Sequence, residues 1–416
     1  MKKKVVLEKD LKKLEKEIVE VSASSEKIKS SKKSSSSDLT VDEKMSLIKR
    51  NTEEILGEVE LREMLVNNEK LKHYIGFEIS NKPHIGHGLV CMSKVKDLQD
   101  AGADVSIFLA DWHSWINNKL GGNMEVIQKI GVPYFRECMK AAFKCVGGDE
   151  KKLKFVLGSE LYHNNDTYWA TVIDISKHTT LARMLRSITI AGRTEGESVN
   201  FALLMYPPMQ VADIFVQELN VVHAGMDQRK AQVVGRDVAE QLTFKPLLNK
   251  DGKKIKPIAI HGHLILGLQK PTVWPVPKEN LQDFRASMKM SKSIPTSAVY
   301  MDDSPEEIKN KINKAFCLEG EIEYNPILDW CKYIIFSIGK NPKLDIKRPE
   351  KFGGNVSYDS YEKLEKDFAE KKLHPMDLKT AVAEKLIEIL KPATEHLNRP
   401  EIRKLKEQMD KLIITR

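Results

Sequence analysis

At the start of the chain Leu7, Leu11, Leu14 and Ile18 recur at spacings of four, three and four among lysines and glutamates, a single apolar stripe that predicts an amphipathic helix over residues 2–21. The stretch 22–37, SASSEKIKSSKKSSSS, offers only Ile28 as a sizeable apolar side chain and reads as a flexible linker. Thr40 and Glu43 then stand at the spacing of a capping box, ahead of Met45, Leu47, Ile48 and later Ile55 and Leu56, so a helix is expected to begin near residue 40.

From there the apolar period switches repeatedly between two and 3.6. Residues 74–79 read as a strand, 85–99 as a helix, and 105–110, after the Ala101-Gly102 stop, as a second buried strand, together a βαβ unit. Further strand candidates at 154–157, 219–223 and 258–260 are separated by helical stretches, the alternation of an α/β domain with a mostly parallel sheet. Beyond about residue 303 the strands are expected to stop. Ser304-Pro305-Glu306-Glu307 opens a helix with an N-cap and an N1 proline, and the remainder reads as all-helical. The expected organisation is therefore a helix and linker over 1–37, an α/β domain over 38–275 with an insertion at about 118–205, a polar linker over 276–302, and a helical domain over 303–416.

Composition narrows the class. A chain of 416 residues suggests two or three folded units besides tails. Hydrophobic residues make up 41% and charged residues 30%, an ordinary soluble balance, and no run approaches the roughly 18 apolar residues of a membrane span. Val5-Val6-Leu7 is too short for a secretory signal, so the cytoplasm is the expected location. Cys91, Cys138, Cys145, Cys317 and Cys331 are odd in number, widely spaced and without a CxxC pair, and are read as reduced thiols. His261-Gly262-His263 has no Cys or carboxylate nearby in sequence to complete a ligand set; a structural or substrate-side role is assigned to it and no structural metal is expected. The formal charge is +8, and residues 1–40 hold 11 Lys against 7 Asp plus Glu. That balance suits RNA as a partner and equally suits a solvated surface.

Two short segments carry chemistry. The first strand runs into Pro83-His84-Ile85-Gly86-His87, which puts two imidazoles and a glycine at the entry of a helix, where free backbone N–H groups and the positive helix end favour phosphate. Lys289-Met290-Ser291-Lys292-Ser293 follows the last strand candidate, and two close lysines can neutralise the charge that develops on a leaving pyrophosphate. Either segment alone has a bland reading. In this order, about 200 residues apart and each where an α/β domain puts its ligand crevice, they are much more specific. A G-x-x-x-x-G-K-[ST] loop and a G-x-G-x-x-G fingerprint are both absent.

The two segments match the HIGH and KMSKS signatures of class I aminoacyl-tRNA synthetases without a substitution. The resemblance implies a Rossmann-like catalytic domain with a helical anticodon-binding domain, and a reaction in which ATP, with Mg²⁺ bridging its phosphates, and an amino acid give an aminoacyl-adenylate. It places His84, His87, Lys289 and Lys292 around the phosphates, with Gly86 and Ser291 as further ATP contacts. Tyr74-Ile75-Gly76-Phe77-Glu78, the segment 206–213 and the segment 225–230 resemble the substrate segments of archaeal and eukaryotic tyrosyl-tRNA synthetases, a likeness that runs from about residue 40 to 395. That resemblance assigns the substrate phenol to Tyr74 and Asp213, its ammonium to Tyr206, Gln210, Gln228 and Glu78, and the ATP ribose to Gly225 and Asp227.

The same likeness implies tRNA contacts. Arg348-Pro349-Glu350-Lys351-Phe352-Gly353-Gly354 and Leu373-His374-Pro375-Met376-Asp377 resemble anticodon-binding segments, with Phe352 stacking on a base and Asp377 accepting from a guanine edge beside His374, while Arg186 and Arg229 match positions facing the acceptor stem. It implies a homodimer too, with helices containing Ile127, Ile130 and Phe135 as interface candidates. Residues 270–285, with three prolines, are nearer the longer eukaryotic approach to KMSKS. Alternatives stay open at this point: a core carboxylate at Asp213, a helix cap at Asp377, a core phenylalanine at Phe352, the tryptophan-specific branch, a catalytically silent RNA-binding relative, or a nucleotidylyltransferase acting on no tRNA.

Overall fold

The computed structural model describes residues 39–193, 197–198, 200–271, 273–274, 276, 284, 288–290, 295–339 and 341–412. The expected N-terminal helix and linker, most of 270–285, and Ser291 and Lys292 lie outside them.

Helix α1 (Val41–Lys49) starts where the capping spacing put it, but Ile55 and Leu56 do not extend it. Asn51 turns the chain at φ 55° and strand β1 (Thr52–Leu56) follows, then α2 (Glu58–Val66). Strand β2 (Lys72–Glu78) leads through the HIGH turn into a wide helical turn, Gly86–Cys91, continued by α3 (Met92–Asp100) and returning as β3 (Asp104–Ala110). Helices α4 (Asp111–Ile116) and α5 (Val132–Cys145) precede β4 (Lys154–Leu157). Helices α6 (Gly158–Tyr162), α7 (Asp166–Lys177), α8 (Leu181–Ser187) and α9 (Ala202–Val216) then lead to β5 (Val221–Gly225), α10 (Arg229–Val238) and β6 (Ile258–Gly262).

The sheet order is β1-β6-β5-β2-β3-β4, parallel throughout except that β1 pairs antiparallel with β6. From β2 the chain moves outward through β3 and β4, and it returns to the other side of β2 through β5 and β6. The crevice beyond the C-terminal ends of β2 and β5 is therefore a topological switch point, the place where open α/β sheets bind ligands.

The period of two along the strands sorts the core into layers. Ile75, Phe77, Ile107, Leu109, Val221 and Ile260 are buried on one face of the sheet. Tyr74, Phe108, Val222 and Ala259 are buried on the other, under Val211, Ala212 and Phe215 of α9. Ile127 and Phe135 are buried in the first layer, so they cannot face a second copy of the chain; Ile130 is half-buried against it.

After residue 303 come α11 (Pro305–Asn313), which carries a capping box between Ser304 and Glu307, and α12 (Pro326–Trp330). Against the expectation that strands stop there, β7 (Leu344–Ile346) and β8 (Val356–Tyr358) form an antiparallel pair. Three residues each are too short for a period-two signal to register. Helices α13 (Tyr361–Ala369), α14 (Pro375–Leu397) and α15 (Pro400–Asp410) follow, with α14 packed against α5 and α11.

Candidate active site

A cavity of about 770 Å³ opens at the switch point, within the size range of small-molecule sites. It is lined by Tyr74, Glu78, His84, Gly86, His87, Tyr206, Gln210, Asp213, Gly225, Asp227, Gln228 and Lys289. Every residue expected around the amino acid or ATP that falls among the described residues thus borders one space.

Its deepest part is built around Asp213, fully buried on α9. Oδ1 accepts from the Tyr162 hydroxyl at 2.9 Å and the Tyr168 hydroxyl at 3.1 Å. Among the described residues no side chain or backbone donor reaches Oδ2. The Nε2 of buried His113 stands 3.9 Å from it, beyond hydrogen-bond range. Burial pushes the Asp213 carboxyl well above the usual range, against the pull of the two tyrosine hydroxyls. Burial likewise raises the Tyr74 phenol, with the Asp213 charge adding to it, so Tyr74 stays protonated. Gly76 leaves room beside it: a Cβ there would stand 2.5 Å from the Tyr74 hydroxyl, which would have to shift.

Polar groups gather at the middle of the cavity. Glu78 accepts from Asn117 Nδ2 at 2.7 Å and from the Tyr206 hydroxyl at 3.4 Å, with Lys119 Nζ 3.6 Å away. Gln210 Nε2 donates to Gln228 Oε1 at 3.3 Å, and Gln228 Nε2 to the Ile190 carbonyl at 3.0 Å. Such acceptors suit a cationic ammonium.

At the mouth the HIGH turn is fixed by backbone. Ile85 N–H donates to the Val299 carbonyl and Met301 N–H to the Pro83 carbonyl, so the turn is clasped by the segment just after KMSKS. Gly86 N–H donates to His84 Nδ1 at 3.1 Å, which leaves the proton of a neutral ring on Nε2. A Cβ at Gly86 would meet the His84 ring and the Ile265 side chain at 2.9 Å. Lys289 forms an ion pair with Asp227 across the cavity.

A family model of class I tRNA synthetases (W and Y) matches residues 66–391. The tyrosine–tRNA ligase of Thermococcus sibiricus is 55% identical over 363 residues, covering 87% of this chain and 96% of the relative. The crystal structure of the Pyrococcus horikoshii tyrosyl-tRNA synthetase complexed with L-tyrosine superposes at a TM-score of 0.86 with 50% identity, over 90% of this chain and 100% of that one. The tryptophanyl-tRNA synthetase of Aeropyrum pernix shares the fold at a TM-score of 0.58 and 19% identity, over 87% of this chain and 86% of that one. The chain belongs to the class I tRNA synthetases.

The residues of this synthetase expected to meet tRNA do not line the cavity, and they fall into two groups. Arg229 holds Glu54 in a two-pronged pair at 2.7 and 2.9 Å, and that guanidinium keeps the Glu54 carboxyl below its ordinary range. Its fork is thus committed to the sheet edge. Arg186 is exposed on α8, and its carbonyl accepts from Lys230.

In the C-terminal part Arg348 donates to the Gly354 carbonyl at 2.7 Å and the Lys372 carbonyl at 2.9 Å, joining the turn that carries Phe352 to the start of α14. Phe352 is 60% exposed, which removes the core reading. His374 caps α14 by accepting from Met376 N–H, so the cap is His374, while Asp377 sits in the first turn.

Sequence reasoning missed Tyr162, Tyr168, His113, Asn117 and Lys119. The aromatic run Tyr162, Tyr168, Trp169 was the available signal once Asp213 had been singled out.

Among the described residues no three His, Cys, Asp or Glu side chains gather to hold a metal ion. The two histidines of the His261-Gly262-His263 segment turn to different carboxylates, His261 to Glu54 at 2.9 Å and His263 to Glu53 and Asp329.

Proposed function

We infer that the chain is a tyrosine–tRNA ligase: it activates L-tyrosine with ATP and transfers the tyrosyl group to the 3′ end of tRNA(Tyr). The observation that carries the choice of amino acid is the Asp213 carboxyl, with one oxygen saturated by two tyrosine hydroxyls and the other without a donor among the described residues, in a cavity that the protonated Tyr74 also lines. A phenol hydroxyl both donates and accepts, and that pair answers both needs. Indole N–H only donates. The 55% identity to a tyrosine–tRNA ligase supports the same choice.

The reaction follows from the order of subsites. Glu78, Tyr206, Gln210 and Gln228 hold the ammonium, which turns the carboxylate toward the HIGH turn. The carboxylate attacks the α-phosphorus of ATP in line, the bond to the pyrophosphate oxygen breaks, and tyrosyl-adenylate and pyrophosphate result. His84, His87, Lys289 and Lys292 balance charge on the phosphates, Gly86 and Ser291 allow their close approach, and Gly225 and Asp227 face the ribose. Mg²⁺ enters with ATP as part of the substrate. A tRNA hydroxyl then displaces AMP from the carbonyl carbon. No step uses a nucleophile from the protein. Arg186 and Arg229 on one side, and Phe352, His374 and Asp377 on the other, are the proposed tRNA contacts, for Arg229 at the expense of its pair with Glu54. The cytoplasm, which holds ATP and tRNA, is the proposed location. Among the described residues no helix is long and apolar enough to cross a membrane.

Amino-acid-dependent exchange of pyrophosphate into ATP tests this directly. Exchange with tyrosine and not with tryptophan or phenylalanine is the expected result. Exchange with tryptophan instead would keep the fold and mechanism and overturn the assignment of Tyr74 and Asp213.

The homodimer belongs to the same proposal. Ile173, Leu181 and Leu185 on α7 and α8 and Phe201 before α9 expose large apolar side chains, Phe201 at 78% and Leu181 at 64%. The double variant Leu181→Asp, Phe201→Ser is expected to sediment as a monomer where the parent sediments as a dimer. An unchanged dimer would move the interface elsewhere.

A further inference from the structure

The ring of His263, the residue after β6, lies between carboxylates from two distant parts of the chain. Nδ1 is 2.8 Å from Glu53 Oε1 on β1, and Nε2 is 2.8 Å from Asp329 Oδ1 on α12. A neutral imidazole has one N–H and one lone pair, so it can serve only one of two acceptors. Two carboxylate partners require the imidazolium. The ring also stacks on Tyr333, centroids 3.8 Å apart and planes at 10°, and the Lys332 ammonium lies 5.4 Å from the centroid of that same tyrosine ring. Among the described residues Glu53, Asp329, Tyr333 and Lys332 are titratable groups around it, and Cys331 and Tyr361 lie within electrostatic reach of Asp329.

Asp329 passes the contact on. Its Oδ2 accepts from the Leu266 N–H at 2.8 Å, and the indole N–H of neighbouring Trp330 donates to the Leu266 carbonyl at 2.9 Å. Leu266 bridges Lys289 in antiparallel register, Met290 N–H donates to the Ile265 carbonyl, and Gly267 N–H donates to the Met288 carbonyl. Leu264 and Ile265 line the cavity beside Lys289 and Met290. One charged ring therefore ties the sheet edge and α12 to the strip of backbone that delivers Lys289.

We infer that His263, as an imidazolium bridging Glu53 and Asp329, is a positioning residue that fixes segment 264–266 and through it the approach of Lys289 to the nucleotide phosphates. The inference rests on the tyrosine-activation reading for its kinetic readout alone. Burial by itself would lower the His263 pKa, but Asp329 and Glu53 overrule it and raise it from 6.5 to about 9. Because the folded value lies above the ordinary one, the clamp's contribution to stability is complete below about pH 6.5 and is lost as pH rises through about 9. Loss of the proton sets a lone pair against one carboxylate, and that arm opens.

The test measures tyrosine-dependent pyrophosphate exchange and the thermal unfolding midpoint from pH 6.5 to 10, for the full chain and for His263→Gln. Glutamine keeps a polar side chain but cannot bridge two carboxylates with a positive charge. At pH 7 its kcat is expected to fall about tenfold, the cost of a slightly misplaced phosphate group, with the KM for tyrosine within about twofold. Wild-type kcat and unfolding midpoint both decline above about pH 9, and His263→Gln lacks that decline. The substrate ammonium titrates in the same region but acts on KM. Glu53→Gln, which opens one arm and leaves Asp329 in place, gives a smaller loss in the same direction. Wild-type kcat in His263→Gln, a KM for tyrosine that rises as kcat falls, or an unfolding midpoint that declines in parallel in both proteins would each overturn the inference. Absence of exchange with every amino acid would count against the tyrosine reading instead, and the unfolding midpoints would still decide the clamp.

Discussion

Lys289→Ala is expected to lower the rate of tyrosyl-adenylate formation by about 10²-fold or more while leaving the KM for tyrosine within about twofold. The ammonium borders the cavity and already holds an anionic partner there, Asp227. A cation that balances charge developing on departing phosphate stabilises the transition state more than it stabilises bound substrate. Its loss therefore falls on kcat. Single-turnover quench-flow with labelled ATP separates the two effects, and Lys292→Ala is expected to behave alike on the strength of its place in the KMSKS segment. A raised KM for tyrosine with an unchanged single-turnover rate would assign the lysine to ground-state binding and refute the role given to it.

The second large effect is on selectivity. In Asp213→Asn the amide oxygen can still accept from Tyr162 and Tyr168, which turns an NH₂ donor toward the pocket where the carboxylate oxygen stood. The substrate hydroxyl then loses the acceptor for its proton. Leaving a buried polar group without its partner costs about 1–3 kcal/mol, so kcat/KM for tyrosine over phenylalanine is expected to fall by about 10-fold to 10²-fold. The reference magnitude belongs to tyrosine-specific enzymes of this class as already characterised, which reject phenylalanine by about 10⁵. Exchange kinetics with both amino acids measure the ratio. Undiminished selectivity would take Asp213 out of the phenol subsite.

How far the sequence could be read depended on how local each signal was. The β2 and β3 strands, the helix between them, β4 and β6 all showed their period within a few residues, and the observed elements fall within two or three residues of the expected ones. Strand β1 was misread as helix because it is short, half polar, and earns its conformation from β6, some two hundred residues away. The same distinction holds in the site. His84, Gly86 and His87 announce themselves in one pentapeptide. Tyr162 and Tyr168 matter only because folding brings them to Asp213, 51 and 45 residues further on, and their aromatic run gains meaning only once Asp213 has been singled out. Arg229 shows the converse: its place in a recognisable segment suggested RNA, and the fold supplies Glu54 as a partner that sequence spacing could not reveal.

The Lys289–Asp227 pair also bears on how a turnover ends. Pyrophosphate carries several negative charges and would be slow to leave a site whose cations had no other partner. On the proposed reaction, Asp227 gives the lysine a partner to return to, so letting go of the product exchanges one ion pair for another. On the reaction proposed above, the carboxylate that meets the lysine at rest is in this sense a competitor of the product.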